Sequence, residues 1–84
     1  RSIIGNGCEI YGEVHNCVIS AGVTIEEGAV VRDSIIMSDC TIGKGCVIDK
    51  SIIAENTKID EGAILGIGSE EPNTLNRQST HLDL

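Results

Sequence analysis

Large aliphatic side chains return along this chain in a short beat: an aliphatic, two polar or glycine positions, a small residue, and aliphatics again. Ile25-Glu-Glu-Gly-Ala29-Val30-Val31 and Ile42-Gly-Lys-Gly-Cys46-Val47-Ile48 both follow it. The aliphatics do not recur at three- and four-residue steps, so no amphipathic helix fits. Short strands broken by glycine-bearing corners do fit, because Val, Ile and Thr suit a pleated surface and a corner with positive φ costs glycine least. The beat is nested in a period of 17 residues: VISAGVTIEEGAVVRDS from Val18, IIMSDCTIGKGCVIDKS from Ile35 and IIAENTKIDEGAILGIG from Ile52. Its columns hold Ile25, Ile42 and Ile59; Gly28, Gly45 and Gly62; Ala29, Cys46 and Ala63; Val31, Ile48 and Leu65. Three strands per period predict an all-β fold, a single-stranded parallel β-helix of triangular section with about four coils, in which each coil buries its apolar face only by stacking on the next.

The first coil is expected to be the long one. Ile4-Gly-Asn-Gly7-Cys8-Glu-Ile10 matches Ile25 to Val31, but 21 residues separate Ile4 from Ile25, so four extra residues are placed near Tyr11-Gly12-Glu13-Val14. Asn16-Cys17-Val18-Ile19 then joins the register of Asp33-Ser34-Ile35-Ile36. The period stops near Ser69, which sets a β-helix over residues 1–68 and an aperiodic tail, cap or linker over 69–84. Leu75, Leu82 and Leu84 of that tail are expected to dock over the last coil. The repeat is already under way at Ile3-Ile4, so the chain reads as a piece of a longer protein.

Residues two apart on a strand share a side. The inward pairs are therefore Val23 with Ile25, Ala29 with Val31, Cys40 with Ile42, Cys46 with Ile48, Thr57 with Ile59, Ala63 with Leu65, Ser34 with Ile36 and Ser51 with Ile53. The same rule leaves Val30, Val47 and Ile64 outside as one stripe, and Val18, Ile35 and Ile52 as another. If the third side were inverted, Ile19, Ile36 and Ile53 would be the exposed set. An ordered aliphatic stripe across three coils marks a surface for protein contact. Those six residues are the expected interface.

Thirteen acidic against six basic residues give a net charge of −7, which disfavours nucleic acid and anionic membranes as partners. No apolar run reaches the roughly 20 residues of a membrane span, and a cytoplasmic setting is expected. Tyr11 is the single aromatic residue, so the stacking groups of single-strand nucleic-acid binders are missing.

The titratable residues assemble no reactive centre. Cys8, Cys17, Cys40 and Cys46 form no CxxC pair and fall at small inward slots, where a thiol acts as a compact apolar group. Cys8 and Cys46 are expected in one column two coils apart, too far for a disulfide. His15 and His81 lie in the first coil and the tail, far from forming a ligand ladder. Gly5-Asn6-Gly7 and Gly43-Lys44-Gly45 precede strands, whereas a phosphate loop needs a following helix. Glu26, Glu27, Glu55, Asp60 and Glu61 sit at corners. No catalytic, cofactor-binding or metal-binding residue is therefore assigned.

Ser2-Ile3-Ile4, Gly7-Cys8-Glu9-Ile10-Tyr11-Gly12, Asn16-Cys17-Val18-Ile19, Gly22-Val23-Thr24-Ile25, Asp33-Ser34-Ile35-Ile36-Met37 and Thr41-Ile42-Gly43 together resemble the C-terminal left-handed β-helix of bacterial glucose-1-phosphate adenylyltransferase. The likeness covers roughly residues 1 to 70. It implies left-handed winding, which periodicity alone does not reveal. It further implies a parent enzyme that joins ATP and glucose 1-phosphate with Mg²⁺ to give ADP-glucose and pyrophosphate for glycogen synthesis. Catalysis would belong to an N-terminal nucleotidyltransferase domain, and this segment would serve domain packing, homo- or hetero-oligomer contacts and allosteric regulation. The alternative is a hexapeptide-repeat acyltransferase, which would need a histidine base beside a coil.

Overall fold

The computed structural model describes residues 1–66 and 73–75. Among the described residues, thirteen strands of two or three residues wind into a parallel β-solenoid of about four turns, the left-handed hexapeptide-repeat helix. Three sheets form its faces. The first contains β1 (Ile3–Ile4), β4 (Val18–Ile19), β7 (Ile35–Ile36), β10 (Ser51–Ile53) and β13 (Asn73–Leu75). The second contains β2 (Glu9–Ile10), β5 (Thr24–Ile25), β8 (Thr41–Ile42) and β11 (Lys58–Ile59). The third contains β3 (Glu13–His15), β6 (Val30–Arg32), β9 (Val47–Asp49) and β12 (Ile64–Leu65).

Strands this short carry one inward aliphatic each, and the register stacks them. Ile19, Ile36 and Ile53 line the first face, Ile25, Ile42 and Ile59 the second, and Val31, Ile48 and Leu65 the third. All nine are buried, together with Val23, Ala29, Cys40, Cys46, Ser34, Ser51 and Thr57. Every expected inward pair is thus inside except Ala63, which packs half-buried against the core. Burial of Ile19, Ile36 and Ile53 excludes the inverted third side.

The first coil departs from expectation. Ile4 pairs with Ile19, Ile10 with Ile25 and Val14 with Val31, so Ile4 belongs to the first face and Ile10 to the second. Only four steps separate Ile10 from Val14, against six from Ile25 to Val31. The coil is therefore short by two residues at Tyr11-Gly12, and not long by four. The error has a physical origin: all three faces carry the same hexapeptide chemistry, so Ile-Gly-Asn-Gly-Cys is as good a match to one face as to another. At the shortened corner the chain runs so close beneath the next coil that a Cβ on Gly12 would collide with the carbonyl oxygens of Ala29 and Glu26.

Corners turn through left-handed backbone. Gly28, Gly45 and Gly62 take φ of 81°, 69° and 75° between the second and third faces. Between the third and first faces the turn residues are Asn16, Asp33 and Lys50, at 55°, 51° and 53°. Asn and Asp tolerate this region; a lysine there costs about 1–2 kcal/mol, which the surrounding coils must over-determine.

The expected boundary at residue 68, Pro72, Leu82, Leu84 and His81 lie outside the described residues. Within 69–84, Asn73–Leu75 pairs in parallel with Ser51–Ile53 and extends the first face by one strand.

Candidate functional site

With the inner ladders assigned, the outer positions of each face can be read directly. The second face presents Glu9, Thr24, Thr41 and Lys58 in register. The third presents Glu13, Val30, Val47 and Ile64, beside a charged ladder of His15, Arg32 and Asp49. The first presents Ile3, Val18, Ile35 and Ile52, aliphatic at four successive rungs, with Thr74 in register with Ile52 at the fifth.

The six expected interface residues therefore fall on two separate faces. Val18 and Ile35 are 43% and 42% exposed, and Ile52 is half-buried beside β13. Val30 and Val47 are half-buried, whereas Ile64 is 64% exposed. Ile3, 70% exposed, extends the first-face stripe, and Met37 is exposed just beyond its Ile36. The misplaced register of the first coil hid Ile3: aligned on Val18 instead of one face away, it would have been found from sequence.

The thiols look inward and are occupied. Cys40 Sγ donates to Ala54 O at 3.0 Å, Cys46 Sγ to Asp60 O at 2.9 Å, Cys8 Sγ to Ser20 O at 3.0 Å and Cys17 Sγ to His15 O at 3.2 Å. Cys17 Sγ also donates to Val31 O at 3.4 Å, so every thiol reaches a carbonyl of the neighbouring coil and cross-links two rungs while filling a small slot. Burial pushes the Cys17, Cys40 and Cys46 thiols up from their ordinary value. Cys8 stacks in the column of Val23 and Cys40, and not in that of Cys46 as the sequence reading had it, because it precedes Glu9, the partner of Thr24. It remains two coils from the next thiol in its column, about 9.6 Å at the strand spacing and beyond disulfide reach. All four cysteines are free. In the native protein Cys8, only half-buried, should react first with a disulfide reagent, and the other three only on denaturation. Thiol titration with and without urea checks this, and rapid release from all four native cysteines would contradict it.

His15 Nε2 lies 3.1 Å from Glu13 Oε1, an exposed pair on the third face. Tyr11 donates its hydroxyl to Glu9 Oε1 at 3.3 Å, and the Glu9 charge raises its pKa. An open cleft of about 470 Å³ beside the second face brings Lys44 and Lys58 together with Glu26, Asp60 and Glu61. Opposite charges alternate there on solvated corners. No three His, Cys, Asp or Glu among the described residues gather to hold a metal ion. None of these groups combines a nucleophile with a base that could activate it. Nor is any helix among the described residues long and apolar enough to cross a membrane.

Comparison with known proteins follows the same line. The family model described as GlmU-like, C-terminal hexapeptide matches residues 1–81. A glucose-1-phosphate adenylyltransferase of Acetivibrio thermocellus is 47% identical over 75 residues, covering 89% of this chain and 18% of that protein. Enzymes of the same name from Thermosipho melanesiensis and Lachnospira eligens are 50% identical over 32 residues and 63% identical over 27. Those matches cover 38% and 32% of this chain, and 8% and 6% of the respective relatives. The chain thus spans less than a fifth of the length of these relatives.

Proposed function

Because this chain belongs to the GlmU-like, C-terminal hexapeptide family, we propose that it is the non-catalytic β-helix domain of a glucose-1-phosphate adenylyltransferase. In this reading the parent enzyme converts ATP and glucose 1-phosphate, with Mg²⁺, to ADP-glucose and pyrophosphate in the cytoplasm. The nucleotide and metal belong to its nucleotidyltransferase domain. The β-helix is a rigid spacer that packs on that domain, contributes to contacts between subunits and supports the region through which effectors act.

The observation that carries the reading is the first face, with Ile3, Val18, Ile35 and Ile52 stacked in register on its outside. Four rungs about 4.8 Å apart make a strip of about 14 Å, one side chain wide. A strip that short and narrow covers far less than the roughly 800 Å² per partner of a free-standing interface. A covalent link supplies the difference, since an attached partner meets the strip at high effective concentration. The acyltransferase alternative finds less support, because the histidine among the described residues, His15, is exposed and held to Glu13.

The test is a chimera in which this chain replaces the 75-residue segment it matches in the Acetivibrio thermocellus relative. It is expected to make ADP-glucose, while this chain alone makes none. Val18→Glu with Ile35→Glu should lower the chimera's activity or assembly by at least about tenfold. Each uncompensated buried carboxylate costs more than the ~1.4 kcal/mol that a factor of ten represents. Val47→Glu with Ile64→Glu asks the same of the third face. If both pairs leave the chimera unchanged, the docking role is wrong; acyl transfer from acyl-coenzyme A by this chain would favour the alternative.

A further inference from the structure

The third face carries two outer columns. Glu13, Val30, Val47 and Ile64 form one, apolar over its last three rungs. Two residues further along the strands stand His15, Arg32 and Asp49. Arg32 and Asp49 are presented alike, because a buried serine holds each main chain: Ser34 Oγ donates to Arg32 O at 2.6 Å and Ser51 Oγ to Asp49 O at 3.0 Å. The two central rungs, β6 and β9, are thus alike in shape and opposite in charge. Arg32 is exposed and Asp49 half-buried, and among the described residues neither closes an ion pair within the chain. The His15 ring is already taken by Glu13, at 3.1 Å.

Opposite charges on neighbouring, equivalent rungs are complementary to themselves once the order of rungs is reversed. A two-fold axis makes that reversal. Laid between two facing third faces, along the strands and midway between β6 and β9, it sets β6 of one copy against β9 of the other. Arg32 then meets Asp49 twice, and beside them Val30 meets Val47 twice, so one patch serves both copies as an isologous contact requires. Sheets pack about 10 Å apart face to face, a gap that a valine from each side fills. At the rim Ile64 of one copy lies against the first rung of the other, where Glu13 stays in solvent with His15. The second face offers no such centre, since its middle rungs present Thr24 and Thr41.

We propose that the third face is a two-fold contact between copies of this chain, with Val30 and Val47 at its centre and reciprocal Arg32–Asp49 pairs beside them. The contact rests on the reading that this domain contributes to contacts between subunits, and it names the surface and its partner. Four rungs of three residues give a footprint of roughly 200 Å². That is well under the roughly 800 Å² per partner of a stable free-standing interface. The pair is therefore weak for the chain by itself and gains strength where other contacts of an assembly hold two copies near each other.

Sedimentation equilibrium of this chain, taken up to about millimolar concentration for a contact of this size, should show a monomer and dimer in exchange. Arg32→Asp and Asp49→Arg each set like charges face to face twice per dimer and should each weaken it at least about tenfold. Mixing the two variants is decisive, because every charge in the mixed dimer again meets its opposite while within each chain the two positions still repel. Recovery of the dimer in the mixture is expected, and it shows that both variants are folded. Asp49→Asn, which keeps the shape of the face, should weaken the dimer without repulsion. A chain that stays monomeric, a dimer indifferent to both reversals, or one restored only when both reversals sit in the same chain would overturn the contact. Its failure would leave the nucleotidyltransferase assignment standing, since the chimera tests that separately.

Discussion

Ile42→Ala should remove about 3 kcal/mol of folding stability, the range found for emptying a fully buried isoleucine site. Ile42 is completely buried, with Ile25 on one side and Ile59 on the other in the ladder of the second face. In a solenoid each rung touches only its neighbours, so the cavity weakens two interfaces at once and has no third layer to collapse onto it. A chain of this length carries roughly 4–12 kcal/mol in total, so the loss is a large part of it. Urea unfolding followed by the strand signal measures it, with Ile35→Ala as the matched control at an outer position on the first face. If the two substitutions cost the same, the inner ladder does not hold the stack together.

Gly43→Ala is expected to cost about 2 kcal/mol, through collision and not through backbone conformation. A Cβ at Gly43 would lie 2.7 Å from Ile59 O, 2.8 Å from Glu61 N and 3.0 Å from the Asp60 carbonyl carbon. All three are main-chain atoms of the next coil, which cannot swing aside as a side chain can. Gly45→Ala separates the two kinds of strain: its Cβ meets nothing within 4 Å, but its φ is +69°. That conformational cost is about 1 kcal/mol. Gly43→Ala should therefore unfold at lower urea than Gly45→Ala with the same slope, and the opposite order would show that the coils can separate locally to admit a methyl group.

The collision at Gly43 could not be read from the repeat. Gly43 shares its column with Glu26 and Asp60, both of which carry side chains. The column invites the inference that any residue fits, while the local approach of Ile59–Glu61 forbids one at this coil alone. The outer aliphatic positions fared similarly. Val18, Ile35 and Ile52 were legible as one stripe and Val30, Val47 and Ile64 as another because a fixed period brings like residues into line. Whether Ile35 or Ile36 faces out was not legible, since two adjacent isoleucines offer the same chemistry to either side. Closure of the triangle decides it: Ser34 and Ser51 are buried beside Ile36 and Ile53 at the corner, where the Ser34 hydroxyl donates to Arg32 O and accepts from the Ser51 N–H, and the Ser51 hydroxyl donates to Asp49 O.

What the sequence determined by itself is the stack: a period of 17 residues with like aliphatics in each column leaves parallel rungs as the one arrangement that buries them all. Only the tertiary structure decided which face the first coil enters on, where that coil is cut short, and hence that Ile3 completes the outer stripe and Cys8 sits above Val23. The reason is that a hexapeptide specifies one side of a triangle without saying which side. The pairing of each strand with the next coil resolves that choice, and in the first coil it aligns residues 15 to 17 positions apart that no local pattern connects.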